Sequence, residues 1–400
     1  MKTVLFVESG GSGGGSFLSL KLLLESLDKS RFRPVVAFLN RTRFLEEYRA
    51  MGVDARLVRD LVYTSSVPRF LRRRMEKLKD RAHQRFGALA PRVVEWCHGP
   101  ALRTLEGIVR EQGVELLYSN NQPNRNLFMA HLARRTGLPL VCHLRSRGIE
   151  TYTPDRARFF DASASAYVAI SEEIRRIWTS VGVPEHKTHL VYNGIPELAP
   201  APLALRPALG LPEGTRLLGI VSRVVWEKGH ATLLRALPEV LRAAPAHLLV
   251  VGDGPMREPI ERLATELGVS SSVTFTGYVG NPLDYVAAMD VLVQPCDTDS
   301  FSRSVLEAWR LGVPTVCSDT GSIREGLKDG LNGLVVPAGD VPGFARAINR
   351  VLTEEGLGGR LAAGALEIVS NRFDLRLTTS RIESIMEEAL EGAAEEPSAC

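Results

Sequence analysis

The chain has 400 residues, 44% hydrophobic and 24% charged, the balance of a soluble globular protein long enough for two cores, which excludes fibrous, disulfide-scaffold and wholly disordered classes. Its formal charge of +3 conceals an asymmetry. Residues 1–196 hold 31 Lys/Arg against 19 Asp/Glu, a net of +12, and residues 197–400 hold 18 against 27, a net of −9, so the first half suits an acidic substrate, an anionic membrane surface or nucleic acid.

The first predicted strand covers residues 3–7. Its four-residue apolar run falls short of the ~7–15 residues of a signal peptide's hydrophobic region. A glycine-rich loop, 9–16, leads into a predicted helix over 17–27. Further strands are expected at 35–39, 116–119, 140–143 and 166–170, with helices over 127–136 and 172–181. Residues 69–92 carry nine Lys/Arg against Glu76 and Asp80, with Leu71, Met75, Leu78, Ala82, Phe86, Leu89 and Val93 spaced three or four apart. That spacing predicts an amphipathic helix whose basic face is either solvated or laid on anionic lipid or glycan; no base-stacking aromatics accompany it, which argues against nucleic acid. Prolines at 196, 200, 202, 207 and 212 predict a semi-rigid linker over 197–213. A second strand set follows at 217–222, 247–251, 273–276, 291–295 and 315–318, again with helices between. A last helix is expected over 375–390, packing back towards the first domain, and a disordered tail over 391–400.

Apolar strands alternating with helices imply βαβ units. The predicted class is α/β, with two Rossmann-like, doubly wound parallel-sheet domains, 1–196 and 214–374, facing across a cleft. The five cysteines are scattered, odd in number and never in a Cys-x-x-Cys pair, which points away from a disulfide framework or zinc site and towards a reducing cytosol. No run approaches the ~18 apolar residues of a membrane span, so any work at a membrane is expected from its surface.

Ligands of open parallel sheets bind beyond the C-terminal ends of the strands. The loop Ser9-Gly10-Gly11-Ser12-Gly13-Gly14-Gly15-Ser16 reads either as flexible chain or as a close-approach loop for a phosphate or substrate. It lacks the Lys of a P-loop, and Ser16 and Asn40 depart from a dinucleotide fingerprint. In Ser222-Arg223-Val224-Val225-Trp226-Glu227-Lys228-Gly229, Arg223 and Lys228 stand five apart across a strand-to-helix turn and either converge on one diphosphate or are two solvated surface cations. In the segment from Asp299 to Glu307, Glu307 lies about one turn into a predicted helix over 304–311, where a carboxylate accepts hydrogen bonds from vicinal hydroxyls. Asp297-Thr298-Asp299 also spells a weak metal-chelating spacing; with two cations nearby, no metal is expected. Asn120, Asn121, Asn124, Arg125, Arg145 and Arg147 follow strands of the first half and suit a hydroxyl-rich or acidic acceptor, or simply turns.

Together these segments resemble the retaining glycosyltransferases of family four, with the glycosyltransferase-B fold, from Met1 to about Asp374. Supporting pieces include Val191-Tyr192-Asn193-Gly194-Ile195-Pro196, Val250-Val251-Gly252-Asp253-Gly254-Pro255 and Gly312-Val313-Pro314-Thr315-Val316. The resemblance implies that Arg223 and Lys228 hold the donor diphosphate, that Glu307 binds ribose hydroxyls beside Val305 and Leu306, and that backbone near Tyr278 meets the base. It further implies that Asp299 faces the donor sugar, that N–H groups of Phe301, Ser302, Arg303 and Ser304 contact sugar and phosphate, and that Gly13 and Gly14 complete the cleft. His143 matches a position that often touches the donor sugar. Departures are Asp299 for the usual Glu, Ser302 for Gly, Leu144 after His143, Pro196 for Asp and Ser222 for Gly.

The expected activity is therefore retaining, metal-independent transfer from a nucleotide diphosphate sugar, with a UDP-sugar as the expected donor, to a glycan or lipid-linked acceptor, with no cofactor and from the cytoplasm. Rival readings are a nucleotide-sugar epimerase or hydrolase, an NAD-dependent dehydrogenase and a non-catalytic binder.

Overall fold

The runs Val4-Leu5-Phe6-Val7 and Val35-Val36-Ala37-Phe38 are wholly buried and pair side by side in parallel, because each is apolar on both faces and only a sheet covered on both sides satisfies it. A computed structural model describes residues 1–10, 15–40, 42, 44–59, 90–149, 152, 154–201, 203–298 and 302–395. The chain divides into two units, Met1–Gly194 with Leu375–Cys400, and Ile195–Asp374.

Among the described residues the first unit holds β1 (Lys2–Glu8), β2 (Phe32–Phe38), β3 (Asp54–Leu57), β4 (Leu116–Ser119), β5 (Leu140–Leu144), β6 (Ala166–Ala169) and β7 (Thr188–Leu190). All pair in parallel in the order β3-β2-β1-β4-β5-β6-β7. Helix α1 (Gly15–Ser26) covers β1 with Phe17, Leu20, Leu23 and Leu24. The last helix, Leu375–Glu395, sets Ile382, Ile385, Met386 and Ala389 into the same core. It runs past the predicted end at 390; residues 396–400 lie outside those described. Most of the basic segment 69–92 also lies outside them, and a helix, Ala90–Gln112, begins at its end.

The second unit holds β8 (Arg216–Val221), β9 (Ala246–Val251), β10 (Val273–Gly277), β11 (Val291–Gln294), β12 (Thr315–Ser318) and β13 (Leu334–Val336), all parallel in the order β10-β9-β8-β11-β12-β13. Its core gathers Leu218, Ile220, Leu233, Leu237, Val293 and Phe344. The segment predicted as a linker, 197–213, belongs to this unit. Leu205 of the short helix Leu205–Ala208 is buried, and Arg206 donates to the Thr215 carbonyl at 2.7 Å and pairs with Asp290. The points where the chain enters and leaves this unit are tied together. Ile195 N–H donates to the Phe373 carbonyl at 2.8 Å, and the buried Arg310 guanidinium donates to the Ile195 carbonyl at 3.2 Å and to Asp374 at 3.3 Å.

Candidate functional site

Because every strand of the second unit points the same way, the segments after β8, β9, β10 and β11 leave one edge of the sheet. Hydrogen bonds knit them together. Val224 N–H donates to the Asp253 carbonyl at 3.0 Å, Met256 N–H to the Val224 carbonyl at 3.1 Å, and Asp297 N–H to the Glu227 carbonyl at 3.0 Å. Gly229 has φ 70°, and a Cβ there would lie 1.7 Å from the Pro295 carbonyl oxygen, so only glycine lets the two loops touch. Val224 is buried as the anchor, while Trp226–Lys228 forms a tight turn. Arg223 is exposed and Lys228 half-buried on this one loop.

His230 follows directly, opening the helix His230–Ala243, and is buried with Nε2 3.4 Å from Ser222 Oγ. Burial, then the Lys228 cation, pushes its imidazole down to about 4, so it is neutral. Sequence reasoning missed it. The signal was its position, second after Lys228.

The segment after β11 enters the helix Arg303–Arg310, one residue earlier than predicted. Ser302 stands at its N-cap with Oγ 3.2 Å from Ser304 Oγ. Glu307 is 6% exposed, and its Oε1 lies 3.0 Å from Arg303 Nε. Burial raises the Glu307 carboxyl and lowers the Arg303 guanidinium, while each charge opposes the shift of the other. Val305 and Leu306 are wholly buried, so their side chains are core and only their backbone is left to face a ligand. Tyr278, just after β10, is 57% exposed. Asp299 and Phe301 lie outside the described residues, as do Gly13 and Gly14.

In the first unit, His143 is 3% exposed near the end of β5. Its Nδ1 lies 2.8 Å from Tyr118 Oη and 3.1 Å from Arg145 Nη2. Burial, then the Arg145 cation, holds the imidazole well below its ordinary range, so it is neutral. It lines a small cavity with Ser19, Arg145, Tyr192, Asn193 and Thr378. Asn120 and Asn121 do not extend outward as acceptor-reading groups: they are 0% and 4% exposed. Asn120 donates to Glu8, and Asn121 Oδ1 accepts from Ser9 N–H at 2.8 Å. Arg147 pairs with Glu173, Asn124 donates to the Gly148 carbonyl, and Arg125 is exposed. Glu8 and Asn126, the other half of this polar network, were not singled out from sequence. A charged residue directly after the buried run 4–7 was the available sign.

Residues 215–354 match the family model for glycosyl transferases group 1, and residues 14–197 match that for glycosyltransferase family 4. The lipopolysaccharide core biosynthesis glycosyltransferase LpsE of Rhizobium meliloti (strain 1021) is 34% identical over 174 residues, 44% of this chain and 50% of its own. The GDP-mannose-dependent alpha-(1-6)-phosphatidylinositol monomannoside mannosyltransferase of Mycolicibacterium smegmatis is 38% identical over 144 residues, 34% of this chain and 38% of its own. The chain thus spans about half the length, or less, of these curated relatives. In fold it is similar to Anabaena HepE, solved with UDP and glucose, at a TM-score of 0.79 and 21% identity, covering 97% of this chain and 100% of that one. It is also similar to WaaG, a glycosyltransferase involved in lipopolysaccharide biosynthesis, at a TM-score of 0.67 and 17% identity, covering 96% and 99%.

Proposed function

We propose, since this chain belongs to the family 4 glycosyltransferases with the glycosyltransferase-B fold, that it transfers a sugar from a nucleotide diphosphate donor to a glycan or lipid-linked acceptor in the synthesis of cell-envelope polysaccharide or glycolipid. The observation that carries the reading is the placement of Arg223 and Lys228 on one loop, packed by Gly229 against the segment that leads to Glu307. Breaking a sugar–phosphate bond builds positive charge at the anomeric carbon and negative charge on the departing diphosphate. Cations fixed where negative charge develops lower that barrier, one such contact contributing a few kcal/mol. Arg223 forks to two phosphate oxygens and Lys228 supplies a point charge, so no metal is part of the proposal.

Glu307, whose charge Arg303 favours against the burial that raises its carboxyl, accepts from the ribose hydroxyls. With both charges on the leaving-group side, the displaced diphosphate remains next to the face it left and takes the acceptor's proton, which yields retention. UDP is the proposed nucleotide, in keeping with the UDP and glucose of HepE. The membrane-facing role of residues 69–92 rests on their sequence alone. Among the described residues no helix is long and apolar enough to cross a membrane.

The test is a panel of UDP-, GDP- and ADP-sugars read by thermal stabilisation, followed by donor consumption with and without lipid-linked and oligosaccharide acceptors. Stabilisation by one nucleotide class and acceptor-dependent consumption are expected. Equal consumption without acceptor identifies a hydrolase or epimerase instead, and stabilisation without consumption a binding protein.

A further inference from the structure

At the end of β1 the Glu8 carboxylate is 0% exposed, yet both of its oxygens are occupied by donors. Oε1 accepts from Gly10 N–H at 2.6 Å, and Oε2 accepts from the Asn120 side-chain amide. Burial raises the Glu8 carboxyl, and the two converging N–H donors, with the Arg145 cation, oppose that shift and favour the carboxylate, which alone has an acceptor for each donor without a proton to place. With Nδ2 committed to Glu8, Asn120 turns its Oδ1 towards Arg145, which donates to it from Nη2 at 2.7 Å and from Nε at 3.1 Å. Arg145 Nη2 also lies 3.1 Å from His143 Nδ1. A guanidinium has no acceptor, so Nδ1 must accept and the neutral ring carries its proton on Nε2. Among the described residues His143 Nε2 is buried without a hydrogen-bond partner, a costly state for a donor unless a ligand or water completes it.

We propose that Glu8 is a positioning residue which, through Asn120 and Arg145, fixes His143 as an Nε2–H donor for an oxygen of the bound substrate. The inference rests on the transferase reading only for the chemical class of that oxygen, a sugar hydroxyl. The relay works by orientation. Glu8 offers two acceptors to two donors, and this sets which way the Asn120 amide faces. That orientation in turn holds the guanidinium against Nδ1, as outer carboxylates orient histidines elsewhere. Replacing Glu8 by Gln leaves one acceptor for two donors, so Asn120 Nδ2 keeps only its longer bond to the Ser16 carbonyl at 3.3 Å and the flipped amide gains population; the guanidinium, still held by the Asn120 carbonyl at 3.0 Å and by Asn193 at 3.3 Å, then loses Oδ1, the acceptor that aims it at the ring. The Arg145 cation is the other charge that reaches this carboxyl, and the Tyr48 phenol, which faces it from α2 (Phe44–Ala50), is neutral.

The test reads the ring directly, by two-bond ¹H–¹⁵N spectra of the full chain labelled at histidine, at neutral pH. In the native protein one His143 nitrogen should resonate as protonated and the other as bare, assigned to Nε2–H. Glu8→Gln and Arg145→Met should each bring the two resonances towards a common value as the Nδ1–H form gains population. Tyr118→Phe should leave them apart, because Arg145 still donates. Convergence in both variants supports the relay whether or not any nucleotide binds. Unmoved resonances in either folded variant, or convergence in Tyr118→Phe instead, overturn it even where UDP stabilises the protein. Should Glu8→Gln fail to fold, Arg145→Met decides alone. The parallel readout is UDP-glucose consumption: a drop of tenfold or more in kcat with unchanged thermal stabilisation by UDP is expected, whereas a purely structural role would move both together.

Discussion

Arg303 Nε lies 3.0 Å from Glu307 Oε1, one turn apart on the helix that opens after β11, with 17% and 9% of the two side chains exposed. A carboxylate so buried stays charged only beside its cation, and removing one partner of such a pair costs about 3 kcal/mol through the uncompensated charge that remains. Arg303→Met is therefore expected to lower stability by that amount and to weaken nucleotide binding together. The double variant Arg303→Met, Glu307→Met should regain most of the stability while nucleotide binding stays lost. Urea unfolding and nucleotide-dependent thermal shifts on the three proteins check this, and a double variant that still binds nucleotide removes Glu307 from the site.

His230 gives a pH dependence whose sign follows from its burial. The unfolded chain takes up this proton near 6.5 and the native one only near 4, so between those values the unfolded state binds more protons. The contribution is whole above about pH 6.5 and is lost as pH falls towards 4. At 1.36 kcal/mol per unit it amounts to about 3 kcal/mol. His230→Gln should flatten this part of the stability–pH curve, measured as the difference in unfolding free energy between pH 7 and 4.5. An unchanged slope would show that the imidazole is already protonated in the native state.

The basic segment carries a prediction of its own from sequence. Each near-surface cation on an anionic membrane is worth roughly 1 kcal/mol. Replacing Arg72, Arg73 and Arg74 by Gln should then reduce partitioning to phosphatidylglycerol vesicles by roughly a hundredfold and leave UDP stabilisation intact. Unchanged pelleting would mean that this face is simply solvated.

Strands inside the sheets, such as Leu116–Ser119 and Thr315–Ser318, were legible to the residue, because burial on both faces leaves short, largely apolar runs that admit only small hydroxyl residues such as Ser119, Thr315 and Ser318. Asp54–Leu57, Thr188–Leu190 and Leu334–Val336 were not, and all three are edge strands, short and half-covered, whose apolar content is too low or too brief to register. The prolines of 197–213 suggested a free linker, but Leu205 and Arg206 fasten that segment to the second unit through partners more than 80 residues away in the case of Asp290, and no local pattern encodes such contacts. At the candidate site, spacing alone brought Arg223, Lys228 and Glu307 to one edge, since all three follow parallel strands. The Glu8–Asn120–Arg145–His143 chain escaped because its members stand 112, 25 and 2 residues apart, and a hydrogen-bond network leaves no periodic trace.

The central claim is that Arg223 and Lys228 favour the departing diphosphate over the intact donor, which is what differential stabilisation of developing charge requires. Titration calorimetry of UDP and of UDP-glucose (or the matching GDP pair, if that pair stabilises the protein) on the native chain and on Lys228→Ala measures this without knowledge of the acceptor. The expected result is a loss of UDP affinity of roughly ten- to a hundredfold, clearly larger than the loss for UDP-glucose, since UDP carries the extra negative charge that Lys228 meets. Equal losses for the two ligands, or none for either, would contradict it.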